Sequence, residues 1–163
     1  MNCGNCGAPM RLASDRRSYA CEYCTSLYFP EESRDGVRVM DEPGELDCPL
    51  CRIPLVLAWI DETQVLYCTR CHGLLVNQIA FLSTIRYLRA RSRGPGVFPP
   101  PMNPQELERQ VHCPSCGQRM STHPYGGPGN IVVDNCPHCL LIWLDREELS
   151  KIIQAPGRDR GSE

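Results

Sequence analysis

Long apolar runs are missing from this chain. None of its 163 residues lies in a stretch near the roughly 18 apolar residues that a membrane span needs, and the longest apolar-rich runs, IPLVLAWI and CLLIWL, are far shorter. Aromatic residues are scarce at 7%, which argues against one large packed core and for several small stapled units. Of 17 basic residues only Lys151 is lysine, and the formal net charge is -2, so the balance does not favour nucleic acid. The opening MNCGNCGAPM has neither the charged start nor the apolar core of a secretory leader. The expected location is therefore the cytosol, where thiols stay reduced, and no membrane partner is expected.

Cysteine is what the chain does have. There are 12, and all fall into six Cys-x-x-Cys pairs: Cys3/Cys6, Cys21/Cys24, Cys48/Cys51, Cys68/Cys71, Cys113/Cys116 and Cys136/Cys139. The gaps between successive pairs are 14, 23, 16, 41 and 19 residues, which groups the pairs two by two into three sets. Two such pairs separated by 15–20 residues read as a zinc site; the second and third sets fall in that window and the first is one residue short. Six disulfides would not persist in a reducing compartment, so metal is the better account. Each turn brings two sulfurs onto one tight loop whose N–H groups damp their charge. Gly7 and Gly117 follow a second cysteine and tolerate positive φ, while Pro49, Pro114 and Pro137 follow a first cysteine and preset φ. Three Zn²⁺ ions are expected, one per set, although four sulfurs in a tetrahedron also take iron. A site closed by four protein ligands has no position for water and should not catalyse.

The repeat extends beyond cysteine. Met10, Leu55 and Met120 each stand four residues after the second cysteine of their set. The triplets Leu27-Tyr28-Phe29, Leu74-Leu75-Val76 and Ile142-Trp143-Leu144 each start three residues after the fourth. Between the pairs, MRL–YAC, PLVLAWI–QVLYC and MSTHP–IVVDNC read as hairpins. Asn77 and Asp145 read as helix N-caps, Asp145 with Glu148 in capping-box spacing. The first helix would turn Ile79, Leu82, Ile85 and Leu88 to one face, and the second Leu149, Ile152 and Ile153. Unit 1 has Pro30 and no such helix, and GVRVM offers a strand instead. Asn103-Pro104 with Glu106 reads as the start of a short helix before Cys113.

The division that follows is unit 1 over 1–29, an acidic linker over 30–47, unit 2 with its helix over 48–93, and a proline-rich linker over 94–104. Unit 3 with its helices spans 105–154, and 155–163 reads as a disordered tail.

Unit 3 resembles the transcription factor IIB-type zinc ribbon family of bacteria and archaea, through CPSCGQRM, VVDNCPHC and above all LIWLDREEL. Unit 2 is similar more loosely, through CPLCRIPLVL and LYCTRCHGLLV; unit 1 keeps the ligands and the triplet. The resemblance implies structural zinc and a β-ribbon fold: a small metal-stabilised protein of three tandem zinc β-ribbons, units 2 and 3 each followed by a helix. It implies no single activity, and transcription would come only by analogy with the family's name.

Other candidates are fewer. Arg86, Arg89, Arg91 and Arg93 form a basic run that could contact an anion or an acidic partner, against the plainer reading of a solvated helix end. His72, His112, His123 and His138 read as surface or supporting residues, since the cysteines already supply four ligands per set. Trp143 reads as core; Trp59 is either core or an exposed platform. No nucleophile–base pair, phosphate loop or open metal position is evident, so no enzyme activity is expected. The expected function is a zinc-stabilised interaction module with a protein partner, the alternatives being a nucleic-acid binder in transcription and a zinc or redox sensor. Oligomeric state is left open.

Overall fold

The structure, a computed structural model, describes residues 1–33 and 35–161. Unit 1 is a three-stranded antiparallel sheet of β1 (Met10–Leu12), β2 (Tyr19–Cys21) and β3 (Leu27–Tyr28), in that order. The expected MRL–YAC hairpin is present, and it sets Met10 opposite Cys21 and Leu12 opposite Tyr19.

Units 2 and 3 are not two beads on a string. They form one seven-stranded antiparallel sheet, ordered β4-β5-β6-β7-β10-β9-β8, with β4 spanning Val37–Asp47. Unit 2 supplies β5 (Pro54–Ile60), β6 (Thr63–Tyr67) and β7 (Leu74–Asn77); unit 3 supplies β8 (Ser121–Pro124), β9 (Val132–Cys136) and β10 (Leu141–Leu144). The two apolar triplets are the strands that join them. Leu74 lies opposite Leu144, Leu75 opposite Trp143 and Val76 opposite Ile142. This register is symmetric: the residue four places after each unit's last cysteine faces its own counterpart, so the two ribbons are related by an internal two-fold axis.

Strand alternation then sorts the triplets between two layers. On one face Leu74, Val76, Ile142 and Leu144 pack with Ile60, Val65, Val133, Phe81, Ile85, Leu149 and Ile152 under helices α1 (Gln78–Arg91) and α2 (Glu148–Gln154). On the other face Leu75 and Trp143 pack with Leu55, Met120, Val111 and the cysteines of units 2 and 3 other than Cys116. Leu55 and Met120 are the repeated positions after the second cysteine, and each is the apolar floor of its own metal set.

The face of α1 differs from expectation. Phe81, Thr84, Ile85 and Arg89 are buried, whereas Ile79 and Leu82 are exposed. Positions 81, 84, 85 and 88 form the continuous i, i+3, i+4, i+7 stripe, and burial of the larger Phe81 ring outweighs that of Ile79. Asn77 caps α1 as expected, accepting from the N–H groups of Ile79 and Ala80. At α2 the cap is shifted. Glu147 occupies the cap position with φ of 67° and no side-chain bond, and Asp145 keeps only the reciprocal half of the box, its N–H donating to Glu148 at 2.7 Å. Residues Pro104–Glu108 form a 3-10 turn with Asn103 accepting from Gln105.

Two segments expected to be loose are built into the fold. Residues 30–47 contain β4 (Val37–Asp47), which pairs with β5 along its length. The acids misled the linker assignment: Asp41, Glu45 and Asp47 are exposed on an edge strand, and Pro43 with two register shifts falls where an edge tolerates them. The tail is also docked as far as it is described. Arg160 donates to the Ile153 carbonyl at 2.6 Å, and Asp159 pairs with Arg89; Ser162 and Glu163 lie outside the described residues. Residues 94–103 hold no helix or strand, and Val97 donates to the Gln154 carbonyl at the end of α2.

Unit 1 leans on unit 2 through Tyr19, Met40 and Leu57, with Met10, Leu12 and Trp59 around them. Trp59 is the clasp: its indole N–H donates to the Arg16 carbonyl at 2.7 Å and the Arg17 guanidinium stacks on its ring. Tyr19 accepts from the Asp41 N–H at 2.8 Å.

Candidate metal centres

All six Cys-x-x-Cys turns share one backbone. The residue after each second cysteine has positive φ: Gly7, Thr25, Arg52, His72, Gly117 and Leu140. In five of the turns the first cysteine accepts from that residue's N–H through its carbonyl, as in Gly7 to Cys3 at 2.8 Å and His72 to Cys68 at 2.9 Å. The first sulfur receives the N–H of the second cysteine, as in Cys51 to Cys48 at 3.2 Å and Cys139 to Cys136 at 3.4 Å. These N–H groups favour the thiolate.

The turns face each other in the expected pairs. Cys3, Cys6, Cys21 and Cys24 form one set, Cys48, Cys51, Cys68 and Cys71 the second, and Cys113, Cys116, Cys136 and Cys139 the third, with the sulfurs of each set within 4.8 Å of one another. Sulfurs on opposing turns lie 3.5 Å apart for Cys3–Cys24 and Cys6–Cys21, 3.7 Å for Cys48–Cys71 and 3.6 Å for Cys116–Cys136. A tetrahedron with metal–sulfur bonds of about 2.3 Å has edges of about 3.8 Å, whereas a disulfide holds its sulfurs about 2.0 Å apart. The cysteines are unpaired thiols spaced for a metal ion.

Electrostatics point the same way. A hydrogen bond from the Ser26 hydroxyl draws Cys24 down to about 5. The Ala8 backbone also lowers Cys6, but the sulfurs of Cys24 and Cys21 outweigh it and push Cys6 up to about 12. In unit 3 burial raises Cys136, yet the N–H of Cys139 and the neighbouring sulfurs bring it down to about 7. Four adjacent thiols cannot all ionise without a cation among them. A divalent ion removes that conflict and binds all four as thiolates.

The histidines join no set among the described residues. His72 instead bonds through Nδ1 to the Tyr67 hydroxyl, tying a turn to β6. The arginine run does not form one surface. Arg89 is buried and turns inward, donating to the Ile152 and Ala155 carbonyls and to Asp159; it holds the last turn of α2. Its position at the end of the buried Phe81–Ile85 stripe explains this correction to the expected anion contact. Arg91 bonds the Tyr87 hydroxyl and covers its ring, while Arg86 is exposed.

Sequence reasoning missed one polar cluster. Arg109, just before the third metal set, pairs with Asp145 and with Asp134, which is fully buried. Thr122 donates to the same Asp134, and Trp143 donates to Asp145 at 3.0 Å. The only cue was the position of an arginine ahead of Cys113, too weak to read.

Paired thiolate turns closing a three-stranded antiparallel ribbon define a zinc ribbon, and this chain has three four-cysteine sets of that kind. Residues 112–155, the third unit, match the family described as transcription factor zinc-finger, the TFIIB-type zinc ribbon. No curated protein and no solved structure matches the chain. The three sets hold three zinc ions, and each ion links two turns that the small ribbon cannot join by burial. Among the described residues no helix is long and apolar enough to cross a membrane.

Proposed function

We propose that the chain is a non-enzymatic, zinc-stabilised interaction module whose partner is a protein. The observation that carries this reading is the solvent face of α1. Ile79 and Leu82 stand one turn apart on it, exposed, opposite the buried stripe. Exposed Leu140 lies beside the helix start, where its carbonyl accepts the Gln78 N–H. Apolar side chains gathered at a rim of polar residues suit a protein surface. Four protein thiolates per ion leave no coordination position for a substrate. Inward-turned Arg89 weakens the case for phosphate contact, since only the flanking arginines remain for it.

The test is binding by the zinc-loaded chain, set beside Ile79→Glu/Leu82→Glu. A protein captured by the first and lost with the second, at unchanged zinc content, is the expected result. Tight binding to mixed duplex DNA or RNA at low salt, with affinity falling steeply as salt rises, overturns the reading in favour of a nucleic-acid partner.

A further inference from the structure

Among the described residues, the third strand of each ribbon meets a partner in units 2 and 3 and none in unit 1. In units 2 and 3 these strands are β7 and β10, paired antiparallel with Leu75 facing Trp143. The matching strand of unit 1 is β3, which pairs on one side only, with β2, and ends the small sheet. Its triplet is left in solvent: Leu27 is 58% exposed, Tyr28 41% and Phe29 53%, and nearby Tyr23 is 84% exposed. Beside the strand runs an apolar cleft of about 520 Å³ lined by Met1, Cys3, Met10, Leu27 and Tyr28. An unpaired strand edge with apolar side chains is a template for another strand.

We propose that β3 is a self-association edge, and that its occupant is β3 of a second copy of this chain. The chain itself carries the template. The β7–β10 register is symmetric about the position four residues after the last cysteine. Transferred to unit 1, that position is Tyr28, so Tyr28 faces Tyr28 of the second copy and Leu27 faces its Phe29. This is a two-fold, self-complementary interface. Its cross-strand pairs are aromatic and aliphatic, and no charge faces a like charge across it. The result is a continuous six-stranded sheet, β1-β2-β3 followed by β3-β2-β1 of the second copy.

The size of the contact sets its strength. Half-exposed side chains of this type bury roughly 600–1,000 Å² in total over two copies, below the usual size of a stable interface. Unit 1 also lacks the helix that braces the β7–β10 seam. The association is weak and concentration-dependent, with a midpoint on the order of tens of micromolar. The proposal goes beyond the partner reading above and uses a different surface, so either can fail alone.

Sedimentation equilibrium of the full zinc-loaded chain from about 1 to 300 μM tests it. The expected result is a shift from the 18.4 kDa monomer toward twice that mass. Tyr28→Lys and Tyr28→Glu each place like charges against each other at the axis, and each should raise the midpoint at least about tenfold. An equimolar mixture of the two variants should recover association, because the two introduced charges then attract. Three zinc ions per chain in both variants, by native mass spectrometry, show that unit 1 is still folded. A chain that stays monomeric throughout, association that ignores both substitutions, or a mixture that fails to recover overturns the proposal.

Discussion

Gly73 lies flat against the indole of Trp143. A Cβ at position 73 would stand 2.2 Å from Cζ2 and 2.8 Å from Cη2 of that ring. The indole cannot move aside, since Trp143 is fully buried, bonded to Asp145 and set opposite Leu75. The contact locks unit 2 onto unit 3 at the seam of the large sheet. Gly73→Ala should therefore cost about 3 kcal/mol in urea unfolding of the zinc-saturated chain. Combined with Trp143→Leu it should cost much less than the sum of the two, because the clash is gone. Additive effects would show that the two residues do not share one contact.

Arg89 sets a second expectation. It meets the carbonyls of Ile152 and Ala155 and the Asp159 carboxylate, which it holds below its ordinary value. Arg89→Ala removes the end of α2 and the docking of residues 155–161 together, at a cost of about 2–4 kcal/mol. Asp159→Asn should cost under about 1 kcal/mol, since Asp159 is half exposed. Hydrogen exchange at the amides of residues 152–161 should rise sharply in the first variant and little in the second.

Glu148 gives the chain a pH dependence. Burial pushes its carboxyl up to about 8, against the opposing pull of the Asp145 N–H; Asp145 and Glu106 add to the rise and Arg109 opposes it. Between the unfolded value near 4.5 and about 8 the folded chain holds a proton that the unfolded chain releases. This contribution is complete in acid and fades as pH rises through the folded value. Glu148→Gln mimics the protonated form. Its stability relative to the native chain should therefore climb from pH 5 to pH 9 by an amount on the order of a few kcal/mol. Thermal unfolding of both at several pH values checks this, and the metal thiolates cancel in the difference. A flat difference would mean that Glu148 ionises as in water.

Metal removal should proceed in order. Unit 1 has strands of three, three and two residues, whereas units 2 and 3 share one sheet and two buried clusters. Cysteine exposure does not separate unit 1 from unit 3, since Cys116 is exposed like Cys6, so the order follows from the packing. A chelator should take one zinc first, with thiol alkylation appearing at Cys3, Cys6, Cys21 and Cys24 before the other eight. Alkylation starting in unit 2 would contradict the coupling of units 2 and 3. Complete removal under reducing conditions should unfold the chain, because each site contributes on the order of 10–16 kcal/mol of apparent metal-linked stability.

The metal sets and hairpins were legible because both are local. Spacing alone paired all twelve cysteines as found, and the strand limits at MRL, PLVLAWI and VVDNC fall close to the text of the sequence. The triplets were visible as repeats, but not as partners, because strand-to-strand pairing across the 63 residues between β7 and β10 leaves no periodic trace. The acids of β4 hid an edge strand, since charges and proline are how an edge stays soluble. Arg89 and Trp59 could not be assigned for the same reason. One fills a helix end and the other clasps a hairpin, and both targets lie in distant parts of the chain.

The two-fold axis between β7 and β10 runs through a single polypeptide, and that changes what can stand on it. Two identical chains must bring the same side chain to the axis from both sides. Here one half brings a leucine and the other a tryptophan, and a glycine leaves room for the larger ring. Covalent joining thus permits a lock and a keyhole at a place where identical halves could only offer two locks. It also keeps the halves at high effective concentration, so the seam does not come apart on dilution.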